Sequence, residues 1–166
     1  AEAAYRALLA SGVAPHRLAL VGDSAGGGLA LSLAMRLRDQ GERAPAAVAL
    51  ICPWVDLRPD IDGSRPDSRA DPLLRSASLA RWATMYATGD ATDPSLSPVL
   101  GDLGGLPPLI VHSAGDDPLV RDTDELLARA QAADVPVDHR RYPGLWHDFH
   151  LLPRLLPAAS AALGHL

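Results

Sequence analysis

The sequence contains no lysine, so all 15 of its basic side chains are arginines. It has a single cysteine, which excludes an internal disulfide, and no Cys/His spacing typical of a zinc site. Its formal net charge of −5, without an arginine-rich run, argues against nucleic acid as a partner. No apolar run approaches the roughly 20 residues of a membrane span. What remains is a chain of 166 residues, 48% hydrophobic, which is enough for one domain with a buried core.

Two short stretches of the sequence carry predictions of their own. The first residues, AEAAYRALLASG, are typical of a helix from within a protein and not of a signal peptide, so the default expectation is a cytoplasmic location. Cys52 ends the apolar run AAVALIC, which predicts a cysteine buried at the end of a strand.

Apolar patterning predicts strands that alternate with helices. The expected strands are 18–22, 46–52, 109–114 and 137–142. The expected helices are 2–10, 25–40, 78–88 (capped by Ser76 or Ser78), 122–133 and the tail from about Leu155. The first strand is expected to be buried on both faces and the polar fourth strand to lie near an edge. The pattern predicts an α/β fold with about four parallel strands, whose ligands collect beyond the carboxyl ends of the strands.

The first strand runs into Gly22-Asp23-Ser24-Ala25-Gly26, a G-x-S-x-G motif between a strand and a helix. Such a turn projects the Ser24 hydroxyl, and Gly22 and Gly26 are expected to avoid collisions between strand and helix. The Ala25 N–H would then face a developing oxyanion. The spacing does not match a dinucleotide loop, and the following helix argues against a chymotrypsin-like GDSGG. A glycine-rich loop with an incidental serine is the remaining alternative.

Two further strand ends carry candidate partners for Ser24. The third is followed by Asp116 and Asp117, which could orient a histidine or simply be turn acids before a helix. The fourth is followed by a loop with His147, which alone could be a surface histidine, and His150 is its close competitor.

The remaining histidines are weaker candidates because of their positions: His16, His112, His139 and His165.

Together, a serine, an aspartate and a histidine follow three strands in the chain order described for α/β-hydrolases. This combination predicts a Ser-His-Asp triad.

Four stretches give the chain a specific resemblance to a known family: GDSAGG at 22–27, PWVDL at 53–57, LPPLIVHSAGDDPL at 106–119 and YPGLWHDF at 142–149. With them the sequence resembles the hormone-sensitive-lipase-like carboxylesterases of the α/β-hydrolase fold. The resemblance implies Ser24 as nucleophile, Asp117 as orienting acid with Asp116 as fallback, and His147 as general base.

The resemblance also implies a substrate pocket and a reaction. Residues 58–88 would form part of a helical cap, and four side chains could line the acyl pocket or be ordinary core: Trp54, Trp82, Met85 and Tyr86. The implied function is hydrolysis of short- to medium-chain carboxylic esters, a small-molecule substrate class, through an acyl-enzyme and without cofactor or metal. The alternatives are a non-catalytic ligand-binding module on the same fold, and lactone or amide hydrolysis.

The sequence departs from the family pattern in two ways. Its DPLVRDT segment is one residue longer than the usual DPLRDE, and it has no HGGG loop upstream of GDSAGG. We therefore interpret residues 1–166 as the C-terminal half of a hydrolase domain whose N-terminal half carries further oxyanion donors. On this interpretation the polypeptide alone is weakly active or inactive, and its first strand is an open apolar edge.

Overall fold

The computed structural model describes residues 1–59, 71–87 and 89–166. Within them a four-stranded parallel sheet has the order β1-β2-β3-β4. The strands are β1 (Ala19–Asp23), β2 (Ala47–Ile51), β3 (Leu109–Ala114) and β4 (Val137–Tyr142). The helices are α1 (Glu2–Ala10), α2 (Ala25–Asp39), α3 (Ser76–Tyr86), α4 (Val120–Ala132) and α5 (Pro157–Leu163). The predicted α/β architecture with four parallel strands is confirmed.

Helices cover both faces of this sheet. On one face, α2 and α4 pack Leu31 and Leu126 against Val48 and Val111 of the two central strands. On the other face, a smaller cluster joins Phe149 and the alanines of α5 to the ends of β2 and β3. The core therefore lies on both sides of β2 and β3, which fixes the positions of the loops that follow each strand.

The first strand agrees with one of its two predictions: it is an open edge of the described sheet, but it is not buried on both faces. Val21 of β1 is 63% exposed, and β1, which pairs only with β2 among the described strands, lies at one edge of the sheet. The expectation of burial on both faces was therefore wrong. The polar fourth strand occupies the opposite edge, as predicted.

The structure also differs in part from what was predicted for the cap segment, residues 58–88. The interpretation of 58–88 as a cap falls in part on residues 60–70 and 88, which lie outside the described residues. Helix α3 begins at Ser76, two residues earlier than predicted, and follows Arg75 without a side-chain cap, so the expected serine cap was wrong. None of the helices in the described ranges combines the length and the apolar composition of a membrane span.

Candidate active site

Ser24 occupies a strained turn between β1 and α2. Its backbone has φ 50° and ψ −123°, a region that residues other than glycine rarely adopt. The turn is held from both sides: the Ser24 N–H donates to the carbonyl of Ile51 (2.9 Å), and the Ser24 carbonyl accepts from the N–H of Trp54 (2.9 Å). These bonds fix the backbone, so the Ser24 hydroxyl projects beyond the carboxyl end of the sheet.

Glycines make the close approach around this turn possible. A Cβ on Gly22 would lie 2.1 Å from the carbonyl oxygen of Gly26, and one on Gly28 would lie 2.3 Å from the carbonyl oxygen of Trp54. A Cβ on Gly26 would make only an ordinary contact, 3.5 Å from a carboxylate oxygen of Asp23. Gly22 therefore avoids a collision as predicted. The same expectation for Gly26 was wrong, and Gly28 fills that role.

A continuous series of hydrogen bonds joins the loops after β1, β3 and β4. Nε2 of His147 lies 2.9 Å from Oγ of Ser24, and Nδ1 of His147 lies 2.9 Å from Oδ2 of Asp117. The other oxygen of Asp117 accepts the N–H of Leu119 at 2.8 Å, which fixes the carboxylate. With the Nδ1 proton donated to Asp117, the Nε2 lone pair of a neutral imidazole faces Ser24.

The competing candidates lie elsewhere. Asp116 is half-buried and its backbone N–H donates to Leu145, while the carboxylate facing His147 is that of Asp117. His150 contacts His112 instead, with 3.2 Å between Nε2 and Nδ1. The structure thus brings Asp117 and His147 to Ser24, and not Asp116 or His150.

Sequence reasoning missed Asp71, a fully buried carboxylate that supports the His147 loop. Its Oδ2 accepts the backbone N–H of His147 at 2.8 Å, and its Oδ1 accepts those of Leu73 and Leu74. The bond to Leu73 has the spacing of an Asx turn, which is a readable local signal. The contact with residue 147 has no local signal at all.

Sequence reasoning also missed Asp148. Its Oδ2 lies 3.2 Å from Nε2 of His147, the same nitrogen that faces Ser24. Burial would by itself lower the pKa of His147, but the hydrogen bonds with Asp117 and Asp148 outweigh it and raise the pKa to about 10. Burial raises the pKa of Asp148 itself.

Among the described residues, one group of potential metal ligands lies close together, formed by Cys52, Asp117 and His147. Cys52 is buried at the end of β2, as predicted, and burial followed by the nearby Asp117 carboxylate raises the pKa of its thiol well above the ordinary value. A protonated thiol is a poor metal ligand, and the other two side chains already bind each other. The group fits better as part of the hydrogen-bonded series than as a metal site.

An apolar cavity of about 370 Å³ opens beside Ser24. Its walls come from the start of α2, the segment after β2 and helix α3. Three of the four side chains predicted to line a pocket do so, namely the aromatic Trp54, Trp82 and Tyr86. Met85 does not line this cavity and is 72% exposed, so that prediction was wrong. Helix α3 turns its Trp82 face, and not its Met85 face, toward the cavity.

Comparison with known proteins identifies the family. Residues 1–151 match the family of proteins with the α/β-hydrolase fold. The chain is 48% identical to LipR of Mycobacterium tuberculosis over 165 residues, which are 99% of this chain and 53% of LipR. It is 39% identical to an acetyl-hydrolase of Streptomyces hygroscopicus over 164 residues, 98% of this chain and 55% of that protein.

Solved structures agree with this assignment. The crystal structure of an esterase from the bacterial hormone-sensitive lipase family superposes with a TM-score of 0.93 at 37% identity, over 98% of this chain and 55% of that one. The chain belongs to the α/β-hydrolase fold family and is of the hormone-sensitive-lipase-like kind. It spans about half the length of the curated relatives it matches.

Proposed function

We propose that this chain carries the catalytic residues of a serine carboxylic ester hydrolase, with Ser24 as nucleophile, His147 as general base and Asp117 as the acid that orients it. One observation carries the proposal. Two contacts of 2.9 Å join Ser24 Oγ to His147 Nε2 and His147 Nδ1 to Asp117 Oδ2, and Ser24 lines an apolar cavity.

The chemistry follows from this geometry. Ser24 attacks the ester carbonyl while Nε2 of His147 takes the hydroxyl proton, and the Asp117 carboxylate stabilises the imidazolium that forms. The proton then passes to the leaving alcohol, and water hydrolyses the acyl-enzyme by the same route. Ala25 is the first residue of α2, so its N–H has no acceptor within the helix and is free for the oxyanion.

The cavity walls favour an apolar acyl group. Leu57, Leu79 and Leu96 line it together with the aromatic side chains, and no charged side chain belongs to its lining within the described residues. We therefore assign short- to medium-chain carboxylic esters as the substrate class. The names of the relatives, which include an acetyl-hydrolase and an esterase, agree with this class.

We further propose that residues 1–166 are one part of a hydrolase domain and hydrolyse esters slowly alone. The resemblance assigns additional oxyanion donors to an HGGG loop, which this sequence does not contain. Loss of one such donor costs about 10²–10³ in rate. Attack of the serine on an irreversible reagent is therefore a better first test than turnover.

The experiment is to treat the chain with a sulfonyl fluoride and locate the adduct by mass spectrometry, in parallel with hydrolysis of p-nitrophenyl butyrate. Ser24→Ala should abolish the adduct, and His147→Gln should slow its formation by at least about 10²-fold. Ser32→Ala is the matched control, because Ser32 lines the same cavity without contacting His147. An adduct that persists in Ser24→Ala, or fails to form in the Ser32→Ala variant, contradicts the proposal.

A further inference from the structure

Two carboxylates bracket the imidazole of His147. Asp117 faces Nδ1 at 2.9 Å, and Asp148 faces Nε2 at 3.2 Å. Nε2 is also the nitrogen that lies 2.9 Å from the Ser24 hydroxyl. The proposed base is therefore in contact, on its reactive side, with a second acid that the catalytic series does not use.

The contact with Asp148 favours a proton between the two side chains. In a neutral imidazole whose Nδ1 proton is donated to Asp117, Nε2 carries only a lone pair. A lone pair and an ionised carboxylate oxygen repel each other at 3.2 Å, and a proton shared between the two groups removes this repulsion. It is carried either by His147, as an imidazolium, or by Asp148, as a carboxylic acid. In both states the lone pair that would accept the Ser24 proton is occupied.

The surroundings of Asp148 give its carboxylate no other charged partner of opposite sign within the described residues. The side chain is buried, and within the described residues its Oδ1 has no hydrogen-bond partner and its only ion pair is with His147. Its nearest other charges are the carboxylates of Asp23 and Asp117, which oppose its ionisation. The titratable and charged groups facing His147 from the elements packed against it are Asp117 after β3, Cys52 after β2, Asp71 before α3, and Asp148.

We propose that Asp148 is a positioning residue that holds a proton on the Nε2 side of His147, and so sets the pH above which His147 can accept a proton from Ser24. The inference deepens the proposed function, on which its final step rests. The raised pKa values of His147 and Asp148 agree with a shared proton. Ester hydrolysis should accordingly be favoured by alkaline pH.

Two substitutions remove the carboxylate while keeping the backbone. Asp148 has φ 51°, a left-handed conformation that asparagine and glycine both tolerate. Asp148→Asn keeps the shape of the side chain and Asp148→Gly deletes it. The pKa of His147 is read from the NMR titration of its ring Cε1–H signal, which is assigned by its loss in His147→Gln.

In both variants the pKa of His147 should fall by about 1 to 3, the usual effect of one adjacent opposite charge. Asp138→Asn is the matched control. It removes a carboxylate 3.1 Å from Nε2 of a different histidine, His165, and should leave the His147 titration unchanged. Titration of His147 at the wild-type pH in both Asp148 variants would overturn the inference.

The pH dependence of Ser24 modification by the sulfonyl fluoride supplies the second readout. Its midpoint should move downward with the pKa of His147 in both Asp148 variants. If the pKa falls but Ser24 is not modified at any pH, the proposed function fails and the role of Asp148 in holding the proton stands. If Ser24 is modified with the same pH midpoint in wild type and both variants, the proposed function stands and the Asp148 inference is overturned.

Discussion

The backbone N–H of His147 donates a 2.8 Å hydrogen bond to Oδ2 of Asp71, a residue 76 positions earlier in the chain. The other oxygen of Asp71 accepts hydrogen bonds from the backbone N–H groups of Leu73 and Leu74, just before α3. One buried carboxylate therefore joins the segment that leads into a wall of the apolar cavity to the loop that carries the proposed base.

Asp71→Ala should destabilise the protein and loosen the His147 loop. The substitution leaves backbone N–H groups without acceptors, two of them in buried bonds, and should cost at least about 2 kcal/mol in the free energy of unfolding. Urea denaturation measures this, and hydrogen exchange of the His147 amide measures the local effect. Asp93→Ala is the control, because Asp93 also accepts a backbone N–H, that of Ser95, but is exposed. Equal effects of the two substitutions would contradict the prediction.

The turn at Ser24 predicts opposite outcomes for two neighbouring glycines. Gly22→Ala forces a Cβ to within 2.1 Å of the Gly26 carbonyl oxygen, and should cost about 3 kcal/mol or more. Gly26→Ala meets only a 3.5 Å contact in the first turn of α2, where alanine is favoured over glycine by up to about 1 kcal/mol. Thermal unfolding of the two variants measures the difference. A Gly22→Ala variant as stable as Gly26→Ala would show that the backbone relaxes freely here.

The cavity wall predicts a selective effect on acyl length. Trp82→Ala removes a large apolar surface from the cavity, and should lower kcat/KM about tenfold for p-nitrophenyl hexanoate with little effect on the acetate. Met85→Ala changes a neighbouring residue of the same helix that does not line the cavity, so both esters should react as in wild type. A uniform loss for both esters in Trp82→Ala would mean that Trp82 acts on stability and not on substrate fit.

Three histidines outside the proposed triad, His112, His150 and His165, form a hydrogen-bonded row. Asp138 accepts the Nε2 proton of His165 (3.1 Å), whose Nδ1 then accepts from Nε2 of His112 (2.9 Å). Nδ1 of His112 in turn accepts from Nε2 of His150 (3.2 Å). The carboxylate thus sets the tautomer of the whole row. At its far end, Nδ1 of His150 is buried with no hydrogen-bond partner among the described residues.

This row predicts a loss of stability in mild acid. Burial lowers the pKa of His150 from an ordinary 6.5 to about 4, and burial together with the neighbouring histidines lowers that of His112 to about 4. Between pH 4 and pH 6.5 the unfolded chain binds more protons than the folded chain. The contribution of these two histidines to the free energy of unfolding is therefore complete above pH 6.5 and is lost as the pH falls toward 4. The effect should amount to a few kcal/mol in total.

Urea denaturation between pH 7 and pH 4.5 measures the effect. His150→Gln removes one of the two titrating groups and should flatten the pH dependence of the free energy of unfolding. His16→Gln, at an exposed histidine, should leave the wild-type slope. A slope unchanged by His150→Gln would assign the acid sensitivity to other groups.

Local patterning was enough to predict much of this molecule. The bounds of β4, 137–142, agree with the structure, and its run of polar residues suits an edge strand. Ser24, Asp117 and His147 could be selected as candidates because each follows a strand, and parallel strands bring those ends to one edge of the sheet.

The errors and omissions share a physical cause. The burial of β1 depends on which strands lie beside it, and its own residues do not encode that. Asp71 contacts a residue 76 positions away, and Asp148 contacts the imidazole beside it from a left-handed backbone conformation. Such contacts depend on tertiary geometry, which periodicity and motif spacing do not contain.

The backbone of Ser24 also limits which atoms could ever serve as the nucleophile at this point. At φ 50° a branched Cβ crowds the main chain, so threonine is excluded even though it offers the same hydroxyl. Cysteine has the same unbranched shape as serine and meets no such obstacle. Evolution at this position could exchange oxygen for sulfur more easily than it could add one methyl group.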